Sequence, residues 1–302
     1  YYAALMAAKT LIGLIKLRGK SKGTSAPGLL AMKICPNFIK YAVQNNKEKI
    51  ITVTGTNGKT TTTGLLAHIV RQSGKNIVHN SEGANMLTGI TTALINNTHF
   101  NKKSDYLIFE SDEAYLRKLY DFACADYLLV TNLFRDQLDR YGELDITFRM
   151  IKEAISKNKN LKVFLNADDP TLEDIAPDNE KIYFGMEDVS FNYETQDSKA
   201  PAENTACRRC GNPLIYDKRF YAHIGQYHCD CGYIRNLPKY VGYAKISDSY
   251  SVLTVKYGEK ESTFTIKMPG LYNVYNALGA ISVALELGIS DDIINQALES
   301  YS

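Results

Sequence analysis

The sequence has no excess of charge of either sign: 35 lysines and arginines against 33 acidic residues leave a formal charge of +2 over 302 residues. That balance excludes a chain that holds nucleic acid or an anionic membrane by bulk electrostatics, so partners must be sought at individual sites. It also lacks an apolar run long enough to cross a bilayer. The most apolar stretch, YYAALMAAKTLIGLIKLRGK, is broken by Lys9 and Lys16 before it reaches the roughly 18 uncharged residues a span requires. The basic lead and small-residue cleavage site of a secretory signal are missing from it too. There is no internal repeat, no low-complexity tract and no scattered cysteine framework of the secreted kind. Cys35 and Cys124 stand alone and the other four cysteines have metal-type spacing, which points to a reducing, cytoplasmic compartment. With 45% hydrophobic and 23% charged residues, what remains is a folded chain with a sizeable core.

In the first stretch, Leu5, Ala8, Leu11, Ile12 and Ile15 recur at helical spacing, which predicts an amphipathic helix docked on the core. A membrane-surface helix is the competing reading, helped by Arg18, Lys20 and Lys22. RGKSKGTSAPG (18–28) is the expected flexible join to the rest. Because the chain starts on tyrosine and stops on serine directly after a helical pattern, it is expected to be part of a longer product.

From residue 50, short β-branched runs alternate with helical patterns. IITVTG, NIVH, YLIFE, DYLLVTN and KVFLN read as strands, and KTTTTGLLAHIVRQSG, ANMLTGITTALI and DITFRMIKEAISKN as helices. The alternation predicts an α/β fold with a mostly parallel sheet covered on both faces, whose ligands bind at the carboxyl ends of the strands. Polar sequence is expected from Glu187 to Asn204. The cysteine segment follows, then YSVLTVKYG, STFTIKMPG and a last helical pattern, NVYNALGAISVALELG, so the cysteine segment reads as an insertion in one α/β domain.

VTGTNGKTTTTG (53–64) lies where a strand ends and a helix begins, a partial match to the phosphate-binding loop pattern because Val53 stands where glycine is usual. Gly55 and Gly58 permit the tight loop, the backbone N–H groups around Thr56 to Lys59 at the positive helix end can wrap a phosphate, and Gly55, Thr56, Asn57, Gly58, Lys59, Thr60 and Thr61 are the candidate ATP-binding residues. Lys59 is expected to neutralise the transferred phosphoryl group, and the Thr60 hydroxyl to ligate Mg²⁺. Magnesium needs a carboxylate as well, and Glu110, at the end of the strand YLIFE, is the candidate. Asp112 and Glu113 read equally well as a solvated acidic loop. Asn273 and Asn276, three apart at a helix start, can present carboxamides to the edge of adenine, although asparagine there is commonly only a cap.

Cys207-x-x-Cys210 and Cys229-x-Cys231 are two close pairs about twenty residues apart, each followed by glycine. Four soft ligands in two knuckles predict a closed, structural Zn²⁺ site. His223 and His228 are alternative ligands, although YAHIGQYH reads better as the hairpin between knuckles; a disulfide or an iron–sulfur cluster fits less well. Zinc ribbons often bind nucleic acid, and Arg208, Arg209, Lys218 and Arg219 with Tyr216, Phe220 and Tyr221 make a nucleic-acid-dependent ATPase the rival from another class.

Together TGTNGKT (54–60), the strand ending in Glu110, TNLFRDQLDRYGE (131–143) and YNVYN (272–276) resemble the Mur ligase family, in order and approximate spacing over residues 50–300. The resemblance implies a P-loop-containing middle domain over 46–302, within which the four-cysteine segment reads as a zinc ribbon insertion over 204–236. It also implies a helical segment over 1–45 and a C-terminal domain, closing over ATP, that this chain does not contain. The family histidine that helps bind a second metal falls on Gln137, and the histidine before the first adenine-site asparagine falls on Tyr272. Lys152 lies near a lysine carbamoylated in many members, but without that histidine it reads as a surface lysine. With NSEGANMLTGITTA and the cysteine insertion, these departures resemble one branch, a synthetase subunit that amidates the α-carboxylate of D-glutamate in lipid II through an acyl phosphate. That branch implies a separate glutaminase subunit (GatD-like), Asn85 as a substrate contact, and a role in peptidoglycan synthesis at the inner face of the membrane. Neither Cys35 nor Cys124 sits in a nucleophile turn, and both are expected to be small buried residues, so ammonia must come from elsewhere. Residues 1–302 alone are expected to bind nucleotide weakly and to amidate nothing. The alternatives are an amino-acid-adding ligase of the Mur or folylpolyglutamate type and a non-catalytic ATP-binding scaffold.

Overall fold

The computed structural model describes residues 1–17, 25–45, 49–80, 84–98, 104–134, 143–191 and 206–301. Three helices open the chain: α1 (Tyr2–Leu17), α2 (Ala26–Ile34) and α3 (Phe38–Asn45). Strands and helices then alternate as β1 (Lys49–Thr54), α4 (Lys59–Gln72), β2 (Ile77–His79), α5 (Leu87–Asn97), β3 (Tyr106–Glu110), α6 (Glu113–Phe122), β4 (Tyr127–Val130), α7 (Glu143–Ile155) and β5 (Lys162–Asn166). β6 (Glu180–Phe191) precedes the hairpin β7 (Ile215–Tyr221) and β8 (Ile224–His228), and β9 (Tyr240–Ile246), β10 (Ser251–Tyr257), β11 (Lys260–Ile266), α8 (Leu271–Glu286) and α9 (Asp291–Ser300) follow.

The main sheet has the order β11-β10-β9-β6-β5-β4-β1-β3-β2. Every pairing from β9 to β2 is parallel, and β10 runs antiparallel to both neighbours. Central strands are apolar at nearly every position because both faces are covered. Leu107 and Phe109 of β3, Leu128 and Val130 of β4 and Val163 and Leu165 of β5 pack with α1, α2, α5, α6 and α7. Their alternates Ile108, Leu129 and Phe164 pack with α4, α8 and α9. Leu5 and Ala8 place α1 in the first of these cores, and Leu11, Ile12 and Ile15 are half-buried. No helix among the described residues is long and apolar enough to cross a membrane.

Strand order reverses at β1, which lies between β4 and β3, so the crevice at the carboxyl ends of these three strands is where such a sheet binds ligands. Two expectations need correction. The polar sequence from Glu187 does not leave the sheet: β6 continues to Phe191 past a bulge between Met186 and Asp188, because β9 supplies its ladder while the side chains of Asp188 and Ser190 stay outside the core. Cys124 is exposed rather than buried, its Sγ 3.2 Å from the Tyr120 carbonyl at the end of α6. β9, α6 and α9 are further elements that the sequence pattern left unassigned.

Candidate active site

The loop between β1 and α4 is built on two left-handed glycines, Gly55 at φ +126° and Gly58 at φ +80°. The second is also a point of close approach: a Cβ on Gly58 would lie 2.0 Å from Asn276 Oδ1. Gly58→Ala is therefore expected to cost about 1–3 kcal/mol and to weaken nucleotide binding, read by urea unfolding and by titration with a non-hydrolysable ATP analogue.

Not every amide of the loop is open to a ligand. The Thr56 N–H donates to the Asn132 carbonyl at 2.9 Å and the Asn57 N–H to Asn132 Oδ1 at 3.0 Å, while Asn132 Nδ2 and Thr131 Oγ1 donate to the Asn57 carbonyl at 3.2 and 2.7 Å. Of the amides expected around a phosphate, those of Thr56 and Asn57 are thus engaged by Asn132 in this structure. Among the described residues, those of Gly58, Lys59, Thr60 and Thr61 have no acceptor, as the first turn of a helix requires. Thr60 is exposed at that turn.

Lys59 Nζ donates to the carbonyls of Gly55 at 2.5 Å and Thr56 at 3.1 Å and pairs with Glu113 Oε1 at 3.0 Å. Glu113 is thus no solvated loop residue, and Asp112 caps α6 by accepting from the Ala114 N–H at 2.9 Å. Glu110 is 2% exposed. Register pairs it with Val53, and Asn80 grips its backbone from both sides, accepting its N–H at 2.9 Å and donating to its carbonyl at 2.8 Å. Its Oε1 accepts from Asn85 Nδ2 at 3.3 Å, so Asn85 orients the carboxylate whatever else it touches. A buried carboxylate beside a phosphate loop, with no cationic side chain paired to it among the described residues, suits a divalent cation.

Asn273 and Asn276 lie together at the start of α8, with Asn276 Nδ2 3.5 Å from Asn273 Oδ1 and Asn273 Nδ2 donating to the Pro269 carbonyl at 2.8 Å. Exposed Tyr272 stands next to them, its ring 4.6 Å from that of Tyr221. Gln137 lies outside the described residues. Lys152 is half-buried on α7 with its ammonium 5.6 Å from the Phe148 ring centre.

The four cysteines form one cluster, their sulfurs all within 4.8 Å of one another and as close as 3.5 Å for Cys207–Cys231 and Cys210–Cys229. A tetrahedral ion with Zn–S bonds of about 2.3 Å needs sulfurs about 3.8 Å apart, so the set fits one. The two knuckles are alike: Gly211 and Gly232 are left-handed and donate to the Cys207 and Cys229 carbonyls, while the Cys207 and Cys229 amides donate to Asn212 and Tyr233. Against burial, which opposes it, N–H groups of Cys210 and Arg209 and the neighbouring thiols hold the Cys207 thiol down to about 7. Neither histidine joins them: His223 faces Asp169 at 3.3 Å and His228 faces Asp217 at 3.2 Å, one at each end of the β7–β8 hairpin. The ribbon's cations are occupied within the chain, Arg208 by Asp145 and the Phe148 ring, Arg209 by Glu173 and Lys218 by Asp188.

Asn80, Asn132 and the buried pair Asp168 and Asp169 went unassigned from sequence. The last two were signalled only by consecutive carboxylates at a strand's carboxyl end. Burial works against ionising Asp169, but His223, the Thr171 hydroxyl and the Leu133 N–H hold its carboxyl below the ordinary range; burial pushes Asp168 up despite Arg235.

Relatives of this chain are known. It is 36% identical over 301 residues to the subunit MurT of the glutamine-hydrolysing lipid II isoglutaminyl synthase of Staphylococcus aureus, and 32% identical over 307 residues to that of Streptococcus pneumoniae. Those alignments cover 97% and 96% of this chain and 66% of each relative, so the chain spans a little under two thirds of their length. A pseudomurein peptide ligase type C from Methanothermus fervidus superposes with a TM-score of 0.70 at 26% identity, over 85% of this chain and 50% of that one. MurF from Acinetobacter baumannii shares the fold at a TM-score of 0.62 and 16% identity, over 91% of this chain and 50% of its own. The Mur ligase middle domain matches residues 53–212, more than half of the sequence, with the phosphate loop and Glu110 inside it, and this chain belongs to the Mur ligase family.

Proposed function

We propose that this chain is the ATP-binding part of a lipid II isoglutaminyl synthase, which amidates the α-carboxylate of D-glutamate in lipid II with ammonia from a glutaminase subunit. The observation that carries the reading is the 36% identity to MurT along 97% of the chain, through phosphate loop and cysteine ribbon alike. A carboxylate is a poor acceptor for ammonia. Transfer of the γ-phosphoryl group to a carboxylate oxygen gives an acyl phosphate and ADP; ammonia then adds at the carbonyl carbon, loses a proton, and inorganic phosphate leaves.

In this scheme the open amides of Gly58 to Thr61 seat the phosphates, with Gly55, Thr56 and Asn57 shaping the loop, and Lys59 offsets charge on the transferred group. The Thr60 hydroxyl and the Glu110 carboxylate hold Mg²⁺, which supplies further charge neutralisation. Asn273 and Asn276 receive the adenine edge, and Asn85 holds Glu110 and faces substrate. In the same reading 46–302 is the ATP-binding domain with 204–236 as its ribbon insertion, α1 to α3 of the 1–45 segment dock on it, and, because the chain spans 66% of its relative, a further C-terminal domain is proposed to complete the site at the cytoplasmic face of the membrane. Incubating the full-length protein and its glutaminase subunit with ATP, Mg²⁺, glutamine and lipid II tests the proposal by mass spectrometry. Amidated lipid II is the expected product; a product heavier by a whole amino acid would identify an amino-acid-adding ligase instead.

The cysteine cluster holds Zn²⁺. Atomic absorption is expected to find one zinc per chain, and Cys207→Ser to remove it, because three thiolates leave the closed site incomplete. Iron in place of zinc would reject the assignment.

A further inference from the structure

The β7–β8 hairpin ends in a strained turn. Ala222 has φ +43°, a left-handed conformation unusual for a residue with a side chain, and such strain persists only where surrounding contacts impose it. Here the contacts lead to the phosphate loop. His223, at the tip, lies 3.3 Å from Asp169 Oδ1, and both side chains are almost wholly buried. The other oxygen of Asp169 accepts the Leu133 N–H at 2.8 Å. Leu133 follows Asn132, which takes up the Thr56 and Asn57 amides, and precedes Phe134, whose N–H donates to Thr56 Oγ1 at 3.0 Å. The Phe134 ring is stacked on Tyr221 at 6.0 Å and lies 4.5 Å from His223.

A second leg runs beside the first. Gly225 of β8 donates to the Asp168 carbonyl at 2.9 Å, and Arg235, beyond the second knuckle, donates to Asp168 Oδ1 at 2.6 Å. Tyr275 donates to Asp168 Oδ2 at 2.7 Å, and its neighbour Asn276 is the residue against Gly58. Both legs start in the segment between or beside the cysteine knuckles and end on the loop that carries Lys59.

We propose that the cysteine ribbon is a brace for the nucleotide site, with His223 and Asp169 as positioning residues, so that metal occupancy and nucleotide affinity are coupled. The inference rests on the nucleotide-binding reading of the loop. An ion in the knuckles fixes the base of the hairpin; the tip then fixes Leu133 and Asn132, and these fix which amides face the phosphate. Coupling of this kind is reciprocal, so bound nucleotide must tighten the metal by the factor by which the metal tightens the nucleotide.

The test uses the full-length protein, a non-hydrolysable ATP analogue with Mg²⁺, and zinc measured by atomic absorption. His223→Gln and Asp169→Asn are expected to retain zinc yet bind the analogue about tenfold more weakly. Chelator-stripped wild type should lose a similar factor and recover it with added Zn²⁺, and saturating analogue should raise zinc affinity about tenfold in wild type but not in His223→Gln. Arg219→Ala, on the ribbon but outside both legs, should leave nucleotide affinity unchanged. Folded, zinc-free protein or folded His223→Gln with wild-type nucleotide affinity overturns the brace while leaving the nucleotide site standing. Wild type that binds no nucleotide overturns both.

Discussion

Lys59→Ala in the full-length protein is expected to lower ATP-dependent amidation about a thousandfold, a change of about 4 kcal/mol in transition-state stabilisation. All three of its donors are engaged in this structure, by two loop carbonyls and by Glu113, so the ammonium is poised within the loop rather than swinging in solvent. It lies among the amides that remain open, at the positive end of α4. A phosphoryl group settling there replaces Glu113 as its anion, and the charge then acts where negative charge is being redistributed during transfer. Both side chains of the Lys59–Glu113 pair are mostly buried, 15% and 14% exposed, so Lys59→Ala leaves Glu113 without its cation and urea unfolding is measured beside activity to separate the two effects. Glu113→Gln provides the contrast: it frees the lysine without removing it, and turnover should stay within about tenfold of wild type. Rates of phosphate release with the glutaminase subunit present measure both. A Lys59→Ala rate above a tenth of wild type would take the lysine out of the phosphoryl chemistry.

Much of this site is legible in sequence because its parts are local. A glycine-lysine-threonine run between a strand and a helix carries its own loop, and a strand that ends in glutamate delivers the carboxylate to the same sheet edge. The cysteine knuckles are local too, each closed by a left-handed glycine next to its second sulfur. What sequence did not disclose is non-local. Asn132 meets Asn57 across 75 positions, Tyr275 meets Asp168 across 107, and Lys59 meets Glu113 across 54. Such pairings follow from strand order, which places β4 and β3 on either side of β1, and no spacing within one segment encodes them. The same limit explains β6. Its last residues look like loop because their partner β9 lies on the far side of the cysteine insertion. The ribbon's arginines look free for the same reason, since Asp145 and Glu173 belong to distant segments.

Glu110→Gln separates function from stability at one position. The carboxylate is 2% exposed, accepts one long hydrogen bond from Asn85 and has no cationic side chain paired with it among the described residues. A buried charge held in that way is costly unless a cation accompanies it, so the wild-type site is destabilising without metal. Glutamine keeps the shape and removes the charge. Urea unfolding in magnesium-free buffer should therefore show the variant as stable as wild type or more so. Turnover at saturating ATP should fall about a hundredfold, because one ligand that neutralises the phosphoryl oxygens through the ion has been lost. The Mg²⁺ concentration for half-maximal rate should rise at least about tenfold, since magnesium binds carboxylates far better than carboxamides. Asn80 holds the backbone on both sides whichever side chain is present, so the variant keeps the strand end in place. If Glu110→Gln instead unfolds at lower urea while its magnesium dependence is unchanged, the residue is a structural carboxylate and the metal must be sought on another side chain of the crevice.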